Sequence, residues 1–187
     1  DKIGSIGVPL PNTEVMIVDP QTERPLTTNQ NGEIWIRGPQ IMKGYLNRPE
    51  ATNESITKEG WYRTGDIGYV DEEGFFYAVD RIKELIKYKG MQVAPAELEA
   101  LLLTHPSVSD VAVIPVTDEA AGELPKAIVV MKSGLTLTAE DIMSFVAEEV
   151  APHKKIRLVE FVEKIPKSAS GKILRRVLIQ KEREKQN

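Results

Sequence analysis

Cysteine is absent from all 187 residues, which excludes disulfides and thiolate metal sites and fits a reducing compartment. No apolar run approaches the ~20 residues that cross a bilayer, so no transmembrane segment is expected. The opening Asp1-Lys2-Ile3-Gly4-Ser5-Ile6-Gly7 has neither an initiator methionine nor an apolar signal segment and reads as mid-chain sequence. The closing Glu184-Lys185-Gln186-Asn187 lacks a Ser-Lys-Leu type of address, so a cytoplasmic location is expected, or a peroxisomal one if such an address has been trimmed. Excess positive charge is missing too: a net charge of −4 offers no broad attraction for nucleic acid or an anionic membrane. The basic run from Lys172 to Lys185 is interleaved with Glu182 and Glu184 and carries no aromatic stacking residue, so no nucleic-acid partner is expected.

What remains is a globular composition, long enough for one ordinary domain or two small ones. In the first half, residues 15–18, 32–37 and 75–79 form short β-type runs separated by Pro-, Gly- and Asn-rich connectors. This spacing predicts a small distorted β-barrel or sandwich. Asp71-Glu72-Glu73-Gly74 reads as a turn between antiparallel strands, with Gly74 supplying the positive φ. In the second half, two Val- and Ile-rich runs at 108–116 and 124–132 predict strands. Thr138-Ala139-Glu140-Asp141 reads as a helix N-cap leading into Ile142, Phe145, Val146 and Val150 at helical spacing. A strand over 156–162 and a last helix from about Gly171 complete a short sheet flanked by helices, giving an α+β chain overall.

The stretch joining the halves, 79–99, is the densest in chemistry. Ile82, Leu85 and Ile86 fit one helical turn, while 85–88 fits a short strand equally well. The strand reading is favoured because Lys89-Gly90-Met91 resembles a tight turn and Gln92-Val93 a return strand. Pro95 then suits the first position of a helix reaching about Thr104, with Glu97 and Glu99 in its first turn where carboxylates favour the dipole.

Two further stretches suggest binding. In Trp61-Tyr62-Arg63-Thr64-Gly65-Asp66 an aspartate follows a glycine turn, and its two oxygens can accept from a vicinal diol such as a ribose; a simple turn cap is the alternative. Tyr62 and Arg63 suit packing and orientation. The loop Lys164-Ile165-Pro166-Lys167-Ser168-Ala169-Ser170-Gly171-Lys172 invites comparison with a P-loop, but Pro166 stands where a glycine is needed and Ile173 where a hydroxyl should meet magnesium. A surface basic patch is its plain alternative.

Taken together, four ordered strings resemble the acyl-adenylate-forming enzyme superfamily, in the branch holding 4-coumarate:CoA ligases, other plant acyl-CoA synthetases and beetle luciferases. They are residues 32–52 (Gly32-Glu33…Gly38-Pro39…Met42…Gly44-Tyr45…Pro49…Ala51-Thr52), Tyr62 to Asp66, the 79–99 segment, and Pro166 to Lys172. The resemblance implies a C-terminal portion of a longer AMP-forming acid:CoA ligase, with residues 1–82 the β-rich end of a large N-terminal domain and 83–187 a mobile C-terminal domain hinged at Lys83. It implies that Asp66 and Arg81 hold the ribose of ATP or AMP and that Lys172 contacts carboxylate and α-phosphate during adenylation. It further implies that Lys87, Lys89, Gly90 and Gln92 form the face used with CoA, Lys87 taking part in catalysis. ATP, CoA and a carboxylic acid, 4-coumarate or a related aromatic or fatty acid, are the implied partners, with Mg2+ bound outside these residues. The missing N-terminal domain would carry the acyl pocket, so the chain alone is expected to be inactive. A luciferase-type oxygenase and a non-catalytic nucleotide-binding or interaction module are the alternatives.

Overall fold

Short runs rich in β-branched and aromatic residues build the first sheet, which covers the earlier part of the described residues, 2–186 of the computed structural model. Strands β1 (Glu14–Val18), β2 (Gly32–Arg37), β3 (Tyr62–Val70) and β4 (Phe76–Arg81) lie in that spatial order, each antiparallel to the next. Ile17, Ile34 and Phe76 form its buried core, with Val15, Leu26, Ile36 and Val70 packed against them. Helix α1 (Pro49–Ser55) has Pro49 at its start and buries no residue.

The expected small barrel or sandwich is corrected to an open sheet, although the α+β class stands. Both outer edges are already occupied by local chain. Leu26 donates to the Ile17 carbonyl (2.8 Å) and Asp19 to that of Arg24 (2.9 Å), covering β1, while Ile6 donates to the Phe76 carbonyl and the Phe76 amide to that of Gly7, pairing residues 6 and 7 with the start of β4. Chain laid against part of each edge in this way competes with closure of the sheet on itself. The 71–74 turn forms as expected: Asp71 Oδ1 accepts from the Glu73 and Phe75 amides, and Gly74 has φ +84°.

A contact boundary falls between Lys83 and Glu84, and the residues beyond it form a second unit. Strands β5 (Ile86–Tyr88) and β6 (Met91–Val93) make a hairpin whose tip, Lys89 at φ +49° and Gly90 at φ +79°, has the left-handed pair that a two-residue turn needs. The strand reading of 85–88 therefore holds. Helix α2 (Pro95–Leu103), the long hairpin β7 (Val108–Asp118) and β8 (Gly122–Met131), helix α3 (Ala139–Glu149), strand β9 (Leu158–Phe161) and helix α4 (Arg175–Gln186) follow. The sheet runs β6-β5-β8-β7, with β9 parallel to β8.

Successive residues of β7 face opposite layers. Val111 and Val113 join Leu98, Leu102, Ile142 and Val146 from α2 and α3, whereas Ala112 and Ile114 meet Ile165 and Leu178 on the α4 side. Thr138 and Asp141 complete a reciprocal capping box at α3, each backbone amide donating to the other's side chain at 2.9 and 3.2 Å. The last helix begins at Arg175, four residues after the expected Gly171. Lys167 bridges Ile173, Gly171 (φ +82°) donates to the Ser168 carbonyl and Ser168 to that of Lys172, so a tight loop consumes those residues first.

Candidate functional site

In the first unit the Thr64-Gly65-Asp66 turn is a bulge in β3. Trp35 pairs with Arg63 and Glu33 with Ile67, so three residues of β3 stand opposite Ile34 alone. The surplus backbone is tied down. Thr64 Oγ1 donates to the Ile34 carbonyl at 2.7 Å and accepts from the Asp66 amide at 3.0 Å. Gly65, at φ +73°, donates to Glu33 Oε1 at 2.9 Å, and its carbonyl accepts from Ile82 at 2.8 Å. Glu33 is buried, and its other oxygen accepts from the Trp35 indole at 2.8 Å. A buried carboxylate thus fixes the turn that carries Asp66.

The bulge turns Asp66 outward: its side chain is 38% exposed, with Arg81 Nε 3.2 Å from Oδ1. Asp66 and Arg81 are direct cross-strand neighbours, so β3 and β4 bring these two sequence candidates together. An exposed pair of this kind adds at most ~1 kcal/mol to stability, and the carboxylate keeps acceptor capacity for a ligand's hydroxyls. Around it, Arg63 lies 4.7 Å from the Trp35 ring centroid and donates to Glu23 at 2.7 Å. A hydrogen bond to Tyr45, then burial, raises the Tyr62 phenol above its usual value. Lys83 is exposed in the turn that ends this unit.

In the second unit the β5–β6 hairpin pairs Lys87 directly with Gln92, while Ile86 and Val93 pair on the buried face. Period-two alternation therefore presents Lys87 and Gln92 together, with Lys89 and Gly90 at the tip. The Lys87 amide donates to Glu123 at 2.7 Å, and the Arg157 guanidinium lies 4.9 Å from the Tyr88 ring centroid. Lys87 and Gln92 on one face, with Lys89 at the tip 5.6 Å from the Tyr88 ring centroid, combine cations with one amide side chain, chemistry that suits a phosphate-bearing ligand.

Lys172 stands on a separate loop. Its amide donates to Ser168 Oγ at 3.1 Å and its carbonyl accepts from the Ser168 amide at 2.8 Å, so the backbone is fixed while the side chain is exposed. Among the described residues no carboxylate pairs with its ammonium. Lys167, on the same loop, is committed to Asp110 at 2.7 Å.

Two acidic residues have roles that the sequence reading missed. Glu99 belongs to the buried face of α2, where it accepts from the Val113 amide at 2.7 Å and pairs with Arg175, so the dipole reading is corrected. Its signal was positional, because Leu98, Glu99 and Leu102 share the helix face turned to the core. Glu33 was legible only as part of its motif. Among the described residues no group of three or more His, Asp or Glu side chains is arranged to hold a metal ion.

Residues 97–172 match the family described as "AMP-binding enzyme C-terminal domain", and residues 1–46 match "AMP-binding enzyme". The 4-coumarate–CoA ligase-like 4 of Oryza sativa subsp. japonica is 57% identical over 178 residues, 95% of this chain and 32% of its own length. The 4-coumarate–CoA ligase 1 of Glycine max is 59% identical over 95% of this chain and 61% of its own. ATP-bound MatB from Rhodopseudomonas palustris superposes with a TM-score of 0.90 at 30% identity, covering 98% of this chain and 37% of MatB. The chain spans about a third of the length of the first curated relatives it matches. Two family descriptions matched in sequence order, with relatives more than half identical along nearly all of it, mean that the chain belongs to the AMP-binding, acyl-adenylate-forming enzyme family.

Proposed function

We propose that these residues are the C-terminal portion of an AMP-forming acid:CoA ligase. A carboxylate oxygen attacks the α-phosphorus of ATP, breaking its bond to pyrophosphate; the CoA sulfur then attacks the acyl carbon, breaking the C–O bond to AMP. ATP is taken as its magnesium complex, with the metal held by groups outside these residues. The proposed acid is 4-coumarate or a related aromatic or fatty acid, and the reading is supported by the names of the relatives.

The observation that carries the proposal is the bulge that turns Asp66 out beside Arg81, 3.2 Å away. Asp66 accepts the two ribose hydroxyls while Arg81 orients the carboxylate and adds positive charge near the nucleotide. The Lys172 ammonium approaches the carboxylate oxygen and the α-phosphate, offsetting negative charge as pyrophosphate leaves. Lys87 and Gln92, with Lys89 and Gly90 at the turn, serve the thioester step, and Lys83 is the hinge that exchanges the two faces. Two steps with different attacking groups need different catalytic surfaces, which rotation of one unit supplies.

The test is pyrophosphate release and thioester formation by the full-length protein with ATP, CoA and a panel of aromatic and fatty acids. Both products with an aromatic acid, lost in Lys172→Ala, would support the reading. No pyrophosphate with any acid would sink it in favour of a binding role, and pyrophosphate without thioester would move it toward an adenylating oxygenase.

A further inference from the structure

Arg175, the first residue of α4, has a side chain only 14% exposed, and each of its guanidinium nitrogens has a partner. Nε donates to Glu84 Oε2 at 2.7 Å, Nη2 donates to Glu99 Oε2 at 3.1 Å, and Nη1 donates to Glu99 Oε1 and, at 3.2 Å, to the Val113 carbonyl. Glu99 accepts in addition from the Val113 amide, so the guanidinium, the α2 carboxylate and one peptide of β7 form a closed set. Three chain segments converge on this one side chain: the residue that follows Lys83, helix α2 and strand β7.

The Lys172 loop is held by hydrogen bonds on the same side. Leu174 donates to the Pro166 carbonyl at 2.9 Å, Lys167 bridges Ile173, and Ile165 and Ile173 pack into the core beneath α4. Lys172 is therefore three residues from a buried anchor, along backbone whose hydrogen bonds are already made.

We propose that Arg175 is a positioning residue for Lys172: it fastens the start of α4, and with it the lysine loop, to Glu84 at the first position beyond the boundary at Lys83. Movement at the hinge is then carried to Lys172 through one charged fork instead of being absorbed by the loop. The inference rests on the adenylating role proposed for Lys172. Only arginine fits, because a planar fork can serve Glu84, Glu99 and a carbonyl together, whereas a lysine ammonium would have to choose. Arg176, next in sequence, is exposed and makes no such set among the described residues.

The experiment uses the full-length protein with Lys172→Ala, Arg175→Lys and Glu84→Gln. It reads adenylation as pyrophosphate release and, separately, thioester formation from supplied acyl-adenylate and CoA. Glu84→Gln is the informative variant because Glu84 is 42% exposed and Arg175 stays paired with Glu99, so no buried charge is left unpaired and the melting temperature should match wild type. A small displacement of the ammonium should lower the adenylation kcat about 3- to 10-fold in Glu84→Gln and about 10- to 100-fold in Arg175→Lys, with the KM for ATP unchanged. Thioester formation should stay within about two-fold of wild type in both.

Wild-type adenylation in Glu84→Gln and Arg175→Lys, alongside an inactive Lys172→Ala, would overturn the positioning role and leave the lysine's. Equal losses in both half-reactions with a lowered melting temperature would show Arg175 to be merely structural and overturn it as well. Full adenylation by Lys172→Ala would remove the underlying reading, a result distinct from either.

Discussion

Asp66, part-buried, and Lys172, exposed, both reach solvent, but the chain supports them in opposite ways. Asp66 rides on a bulge inside a sheet, fixed by the buried Glu33 carboxylate on the adjacent strand, by the Thr64 hydroxyl and by the Ile82 amide. Lys172 stands on a surface loop closed by serine hydroxyls and backbone, with its firm support delegated to Arg175 beyond the loop. The first arrangement suits the fixed ribose contact proposed for Asp66. The second suits the travelling charge proposed for Lys172. Disturbing the first should cost stability and nucleotide binding together, and disturbing the second should cost rate alone.

The sharpest test of that contrast is Lys172→Ala in the full-length protein. Loss of one pre-organised charge is expected to slow pyrophosphate release on the order of 10²- to 10³-fold. Because the side chain is exposed, unfolding free energy should move by no more than ~0.5 kcal/mol. A large stability loss would erase the distinction between the two supports.

Next in size is Glu33→Ala, which leaves the Gly65 amide and the Trp35 indole N–H without acceptors. Each buried donor left unpaired costs about 1–3 kcal/mol, so chemical denaturation should show a clear loss. The freed bulge should also raise the KM for ATP. An unchanged KM in a destabilised protein would confine Glu33 to folding and break its link to Asp66.

Lys87→Ala should have a narrower effect. Transfer from supplied acyl-adenylate to CoA is expected to slow about 10-fold while adenylation is spared, since one charged hydrogen bond contributes roughly 1.5 kcal/mol or more. Equal loss in both half-reactions would remove Lys87 from the thioester face. Gln92, its cross-strand partner, should show a weaker version of the same split.

What could be read from the sequence was what neighbours decide. The Asp71–Gly74 turn, the Lys89-Gly90 hairpin tip, Pro95 at a helix start and the Thr138–Asp141 capping box are each set within a few residues. Motif strings carried the candidate residues, because their order survives without coordinates. The open sheet could not be read that way. It depends on residues 24–26 and 6–7 reaching the two edges, a matter of tertiary pairing. Glu99 was misread for the same reason: its partner Arg175 lies 76 positions along the chain, and a carboxylate near a helix start looks like dipole complementarity until that partner is known. The bulge at Asp66 is a register effect between β2 and β3, invisible in either strand alone. The late start of α4 reflects a serine hydroxyl capturing the Lys172 amide, which competes with helix formation.

The smallest expected effect concerns acid. The Lys2 ammonium, bonded to Asp71 at 2.7 Å, together with the Phe75 and Glu73 amides, holds that carboxyl down at about 2. An unfolded aspartate titrates near ~3.9, so the folded value is depressed and the contribution is complete above that pH. It is lost as pH falls through about 2, when the folded carboxyl itself takes a proton. Asp71→Asn keeps an oxygen for the turn amides but removes the titration and the ion pair. Its melting temperature should be slightly below wild type at pH 7 and should converge with it as pH is lowered from about 5 toward 2. Parallel curves over that range would mean that the 71–74 turn is held by its side-chain acceptor oxygen, whatever its charge. The first unit's acid sensitivity would then have to arise elsewhere, and the contrast between a sheet-held and a loop-held site would rest on Glu33.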